Sequence, residues 1–285
     1  MDSRQSIPMR EEEAVMSVIT LSRETGSLGD DVARLLAERL NYRLLNREAL
    51  DQTIENIGFP DIPLERFDEH SPSFWENFTT GKDVYLDRLR TAFLDAALEG
   101  ECVVLGRGGH YVLEGIPGVF RVRLIAGRDT RTRRLASILE CDPKTAERYC
   151  RRSDHDRNGF SRFFFGGHWS DPADYDMTLC TDRMDAHHAA EVIRAAYSSA
   201  PTQDSQNREL LHSRRKAQAI RNQILYVQRI PVDLLEVEVD HTQATIRGTV
   251  TVRENTERCE RAAREVNGIE TVKTEVYYVN PVMTY

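Results

Sequence analysis

The feature that most constrains this chain is an alternation. Five short apolar runs lie at residues 16–22, at the start of ECVVLGRGG (101–109), and at 42–46, 118–127 and 176–181. Between and after them come stretches with helical spacing or helix-boundary signals. In DDVARLLAERL (30–40), Val32, Leu35, Leu36 and Leu40 recur on one helical face. Residues 47–57 read as a helix, and residues 82–99 as an amphipathic helix stopped by Gly100. Residues 128–140 form the next, Asp142-Pro143 opens one that runs towards Phe165, and residues 185–199 form the last. Strands alternating with helices predict an α/β domain with a mainly parallel sheet. Residues 58–81, with Gly58, Pro60, Pro63, Pro72 and Gly81, are expected to be irregular or short helices.

The pattern changes after residue 199. The polar stretch 200–213 reads as a linker. Residues 214–228 then place Ala217, Ile220, Ile224 and Val227 on one helical face, and Leu235, Val237 and Val239 alternate with acidic residues. Ala244, Ile246 and Gly248 alternate again, a helix follows at 254–267 with Cys259, Ala262, Ala263 and Val266 inward, and a strand at 271–279 closes the unit. The order α-β-β-α-β over 214–285 predicts a small second α+β domain behind a 16–199 first domain, with residues 1–15 as a frayed tail.

Composition narrows the function. The net charge is −8, all of it within the first two hundred residues, so a generic binder of nucleic-acid backbone is not expected. No apolar run is long enough to span a bilayer, and Glu11, Glu12 and Glu13 stand where a signal peptide would be apolar. Cys102, Cys141, Cys150, Cys180 and Cys259 are odd in number and contain no C-x-x-C pair, which predicts reduced thiols and a cytoplasmic protein.

Three segments could carry chemistry. The first, Ser22-Arg23-Glu24-Thr25-Gly26-Ser27-Leu28-Gly29-Asp30-Asp31, joins the first strand to the first helix. A glycine loop there presents backbone amides and the positive helix end to phosphate. The Walker lysine is absent in either register, with Asp30 or Gly29 in its place. The second is Gly106-Arg107-Gly108-Gly109-His110, at a strand end, where ligands bind in open parallel sheets and a guanidinium can fork a phosphate. Here His110 reads as a packing or hydrogen-bonding side chain. The third is the arginine-rich arm with Arg131, Arg133, Arg134, Arg151, Arg152, Arg157 and Arg162, suited either to clamping phosphates or to solvated ion pairing. Phe160, Phe163, Phe164, Phe165 and Trp169 read as core or hinge packing.

Taken together, VITLSRETGSLGDDVARLLAERLNYRLLNRE, CVVLGRGGHYVL, RVRLIAG and SDHDRNGF with HWSDPADYDMTLCTD resemble the cytidylate kinase-like branch of the P-loop nucleoside monophosphate kinases. The resemblance implies a three-layer α/β/α domain with a five-stranded parallel core, an ATP site using Mg²⁺, a monophosphate site and an arginine-bearing lid. By position it implies that Gly26, Ser27 and Gly29 face ATP phosphates through backbone amides, that Arg47 meets the monophosphate, and that Arg107 holds the monophosphate or, as a catalytic residue, the transferring group. Arg131 and Arg157 would serve the lid, with Asp154 orienting it. Arg23 or a lid arginine would supply the missing charge. Because hard cations accept carboxylate oxygen, Asp30 or Asp31 is expected to meet the Mg²⁺. Asn46 stands where this branch often has Asp. The segments ATIRGTVTVRE and AAREVNGIETVKTEVYYV, in an α-β-β-α-β order, resemble a BON domain, which implies dimerisation, docking, sensing or contact with a membrane surface. The expected activity is transfer of the ATP γ-phosphoryl to CMP or a similar monophosphate. The rival is a nucleotide sensor with little or no turnover. Oligomeric state stays open.

Overall fold

The computed structural model describes residues 18–57, 79–116, 118–200 and 204–280. The expected frayed tail, and the irregular stretch up to residue 78, lie outside the described residues. The first strand, β1 (Val18–Arg23), leads through the glycine loop into α1 (Gly29–Leu40). Next come β2 (Arg43–Leu45), α2 (Arg47–Asn56), α3 (Thr79–Glu99), β3 (Cys102–Leu105) and a one-turn α4 (Gly109–Val112). The first domain continues with β4 (Val119–Ile125), α5 (Arg128–Ile138), α6 (Pro143–Phe165), β5 (Met177–Cys180) and α7 (Ala186–Ser198). Local chemistry sets several of these boundaries. Asn46 caps α2 by accepting from the Ala49 amide at 3.0 Å, and Asp142 caps α6 ahead of Pro143 through the amides of Lys144 and Thr145.

The strands form one parallel sheet in the order β2-β3-β1-β4-β5. Period-two alternation divides its side chains between two cores. Ile19, Leu21, Val103 and Leu105 point to the face covered by α1 and α7, where Val32, Leu36, Ala190 and Ile193 are buried. Val18, Cys102 and Val104 point to the other face, packed by Leu50, Leu89, Phe93, Phe160 and Phe164 from α2, α3 and α6. Helices on both faces make a three-layer domain. From β1 the chain passes towards the β2 edge, and after β3 it crosses to the β4 side. The carboxyl ends of β1 and β3 therefore flank the point where the winding reverses, the place where open α/β sheets bind ligands.

The stretch read as a linker folds differently from that expectation. From Asp204 the chain is already in α8 (Asp204–Asn222), and Leu211 is fully buried in the core beneath α3. After α8 a five-residue π-helical turn at 223–227 precedes β6 (Asp233–Asp240), β7 (Gln243–Val250), α9 (Glu254–Arg264) and β8 (Thr271–Tyr278). β6 and β7 are antiparallel, whereas β7 and β8 are parallel, giving an α-β-β-α-β unit with the sheet order β6-β7-β8. Ile220, Ile224, Cys259, Ala262 and Ala263 enter its core. Val227, expected on the same face, is 61% exposed, because the wider π turn rotates it off the α-helical stripe. All five cysteines are free, and burial pushes the Cys102 thiol up to about 12. Among the described residues no helix is long and apolar enough to cross a membrane.

One buried carboxylate ties the two units together. Asp87, on α3, is 1% exposed and accepts both carboxylate contacts from Arg221 Nε at 2.9 Å. It also accepts from Gln218 Nε2 at 3.2 Å and from the Tyr226 hydroxyl at 2.6 Å. Burial and the negative charge of Asp87 together push the Tyr226 hydroxyl above its ordinary range, so it stays a donor. Asn222 extends the network by donating to Thr91 Oγ1 at 3.0 Å. A buried charge is tolerated when its lone pairs are met this completely, and removing it strands its partner. We expect Asp87→Ala to lower unfolding free energy by about 3–5 kcal/mol, read from urea midpoints, and Asp87→Leu paired with Arg221→Met to recover part of that loss.

Candidate functional site

The glycine loop is built around two close approaches. Gly26 sits at φ +82°, and a Cβ there would lie 2.9 Å from the Arg131 carbonyl oxygen, so only glycine lets α5 come this near. A Cβ on Gly29 would meet Arg23 Cγ at 2.3 Å: the aliphatic stem of Arg23 lies across the helix start, and its guanidinium reaches Asp30 at 3.3 Å. Leu28, at φ 66°, precedes α1 without a side-chain cap. The first-turn amides of α1 thus gain no capping side chain from the residue before them. Ser27 is buried, its hydroxyl donating to the Glu24 carbonyl at 2.8 Å, so it acts inside the loop. Asp31 turns to Arg34 at 3.0 Å. Among the described residues no group of three or more His, Cys, Asp or Glu side chains is arranged to hold a metal, and Asp30 and Asp31 each face an arginine.

Glu24, not singled out from the sequence, organises the loop. Its carboxylate accepts from the Ala126 amide at 3.2 Å and pairs with Arg123 at 3.4 Å and Arg131 at 3.3 Å. Arg131 also donates through Nε to the Thr25 carbonyl at 2.7 Å and through Nη2 to Asp154 at 2.8 Å. Thr25 is held from the other side as well, by Arg157 Nη1 at 2.8 Å and by Ser153 at 2.6 Å. Arg134 adds a bond to the Gly26 carbonyl at 3.2 Å. The arm formed by α5 and α6 is therefore seated on the loop. Arg131 gives Nε, Nη1 and Nη2 to that seat, and Asp154 gives Oδ1.

The second segment takes a tight turn. Gly106, Arg107 and Gly108 all have positive φ, at 76°, 50° and 73°. For Arg107 that conformation costs on the order of 1–2 kcal/mol. The buried Arg107 side chain reaches the Tyr85 hydroxyl at 2.5 Å and Asp51 at 3.2 Å. Arg47 lies 3.7 Å from the same Asp51 and is more than half exposed, at the outer end of this chain of charges. Asn46 does not join it, since its side chain caps α2.

Arg23, Arg107 and Arg157 line one cavity, together with Ser22, Gly106 and Trp169. Its free volume is about 20 Å³, room for roughly one water. Trp169, read from sequence as packing, is a wall: its indole donates to Ser22 Oγ at 2.7 Å and its ring lies 4.1 Å from the Arg123 guanidinium carbon. His110 is buried, stacked on Tyr175 and 3.2 Å from its hydroxyl. Burial raises the Tyr175 hydroxyl above its ordinary range, which keeps it protonated. A donor set of three guanidiniums among glycines suits an anion that presents several oxygens, as a phosphate ester does.

A parallel sheet ordered β2-β3-β1-β4-β5, with a glycine loop after β1 and arginines gathered at the carboxyl ends of β1 and β3, defines the α/β fold of the P-loop kinases. The sequence profile of the cytidylate kinase-like family matches residues 18–183, more than half of the chain, and the chain belongs to that family. Among solved structures it is similar to an uncharacterized protein from Eubacterium ventriosum, at 28% identity and a TM-score of 0.53, over 65% of this chain and 99% of that one. It is also similar to a shikimate kinase from Acinetobacter baumannii solved with shikimate, at 18% identity and a TM-score of 0.37, over 65% of this chain and 94% of that one. A gluconokinase from Sinorhizobium meliloti gives 15% identity and a TM-score of 0.38, over 65% and 93%. No curated protein matches the chain.

The seating of the arm on the loop can be tested with two glycines that share a left-handed backbone. Gly26 would drive a Cβ into α5, whereas Gly166, at φ +70°, has nothing within 4 Å of that position. We expect Gly166→Ala to cost about 1–2 kcal/mol from conformation alone. Gly26→Ala should cost clearly more, measured by thermal or urea unfolding. Equal losses would contradict the close approach.

Proposed function

We propose that this chain transfers the γ-phosphoryl group of ATP to CMP or a similar nucleoside monophosphate. The observation that carries this reading is the convergence of Arg23, Arg107 and Arg157 on one cavity at the carboxyl ends of β1 and β3. Arg107 is the acceptor-phosphate residue in this account: its strained turn, Tyr85 and Asp51 fix its direction before any ligand arrives. Arg47 extends the same binding edge. Arg157, on α6, contributes charge from the arm, and Arg131 and Asp154 keep that arm in register with the glycine loop. Backbone amides around Gly26, Ser27 and Gly29 would hold the donor phosphates, with Arg23 in place of the missing lysine and Asp30 and Asp31 beside the metal. When bound, MgATP supplies the transferable phosphoryl group and neutralises part of its charge. The protein's contribution is positioning and electrostatic stabilisation, which suffice for this chemistry without a covalent intermediate.

The enclosed space is far smaller than a nucleotide, so binding requires the α5–α6 arm to swing or its arginines to withdraw. The C-terminal unit, with its BON-like strand and helix order, would act as a docking or regulatory module. A second reading, a nucleotide sensor with little turnover, is favoured by one observation: Arg23 already lies over Gly29 and pairs with Asp30 where a Walker lysine is lacking.

Two measurements follow. Arg107→Ala should weaken CMP binding about ten- to a hundredfold, the loss of a charge-assisted contact worth roughly 1.5–3 kcal/mol. Unchanged affinity in the folded variant would move the acceptor site elsewhere. ATP affinity should depend strongly on Mg²⁺ in the parent chain, because Asp30 and Asp31 repel bare phosphate. Asp30→Lys should raise metal-free ATP affinity. Equal parent affinity with and without Mg²⁺ would remove Asp30 and Asp31 from the metal role.

A further inference from the structure

A second, larger cavity lies away from the glycine loop, in the cleft between α3, α8 and β6. Its volume is about 550 Å³, inside the roughly 300–1,000 Å³ range of small-molecule sites, and it sits at a junction between structural units, where such sites concentrate. Leu94, Val112, Leu235 and Val237 give it an apolar lining.

The charges around it divide into those already satisfied and those left over. Arg221 is spent on Asp87 and on the Leu235 carbonyl at 2.7 Å. Glu238 is engaged by Arg247 at 2.7 Å. Arg90 forms a long ion pair with Asp87 at 3.6 Å, a carboxylate it shares with Arg221, and Asp83 also acts on it, so its charge is only partly compensated. Arg214 donates to the Glu114 carbonyl at 2.6 Å and, among the described residues, has no carboxylate within ion-pair distance. Both guanidiniums are partly withdrawn from water, burial being the main cause that pulls each below its ordinary pKa, yet an arginine stays charged. On the β6 side Glu236 brings one carboxylate. The cleft therefore combines an apolar body with two incompletely compensated positive charges and one negative one.

We propose that this cleft binds a small monoanionic organic molecule, a carboxylate or sulfonate with an apolar or aromatic body. The body would rest on Leu94 and Val237, and the anionic group would meet Arg90 and Arg214. Glu236 disfavours a second negative charge, so a phosphate dianion fits less well. The inference does not rest on the phosphotransfer reading.

The test uses the full chain and the fluorescent monoanion 1-anilinonaphthalene-8-sulfonate. The expected result is saturable binding to one site per chain. The double variant Arg90→Gln, Arg214→Gln should weaken it at least tenfold, and Ala217→Trp, which fills the cleft from α8, should abolish it. Glu236→Gln should tighten it about two- to fivefold by removing a repulsion of surface magnitude. Tyr277→Ser removes an exposed ring of β8 that offers the dye an alternative surface, and it should change nothing. Circular dichroism confirms that each variant is folded, and the Ala217→Trp and Glu236→Gln arms decide the matter if the double variant is not. Absence of saturable binding, equal affinity across the folded cleft variants, or loss confined to Tyr277→Ser would overturn the proposal.

Discussion

The Glu24 carboxylate is the contact on which the site's geometry depends. It stands just after β1, and it gathers one arginine from β4, one from α5 and the amide of Ala126. Each contact alone is modest. Together they fix where the glycine loop, the neighbouring strand end and the base of the arm lie relative to one another. Removing this partly buried carboxylate would strand the Arg123 and Arg131 guanidiniums that face it. The loop's conformation is thus set by a charge network as well as by its glycines, which bears on how a loop without the Walker lysine keeps its shape.

α3 links this site to the rest of the chain. Tyr85 on one side of the helix orients Arg107, and Asp87, two residues along and on the opposite side, anchors α8 through Arg221, Gln218 and Tyr226. A rigid helix whose two sides serve two units is a physical route by which the C-terminal unit and the Arg107 side of the cavity share one support. Leu211 strengthens the same junction from the apolar side.

Much of this architecture was legible in the sequence because it follows from periodicity. Apolar runs such as CVVL, buried on both faces of the sheet, and the i, i+3, i+4 stripe of α1 leave few alternatives. The start of α8 was not legible. Its first turns are polar and follow Pro201, and the apolar signal is the short pair Leu210-Leu211, whose meaning depends on α3 lying alongside. The strand-end location of Arg107 followed from GRGG after a buried run. Its partners Asp51 and Tyr85 did not, since both sit on helices brought near it only by tertiary packing. Arg131 and Arg157 look equivalent in an arginine-rich stretch, yet one is spent on Glu24 and Asp154 while the other also lines the cavity. Glu24 carries no motif signal, and no spacing rule marks a carboxylate that works through residues about a hundred positions away.

Phosphoryl transfer supported by the arginines at the ends of β1 and β3 is the proposal that the remaining roles depend on. Incubation of the full chain with MgATP and CMP, followed by separation of the nucleotides, tests it most directly. CDP and ADP are expected in equal amounts, formed only when both substrates are present. Tight binding of ATP and CMP with no CDP formed, across the other nucleoside monophosphates as well, would contradict it and make the chain a nucleotide sensor.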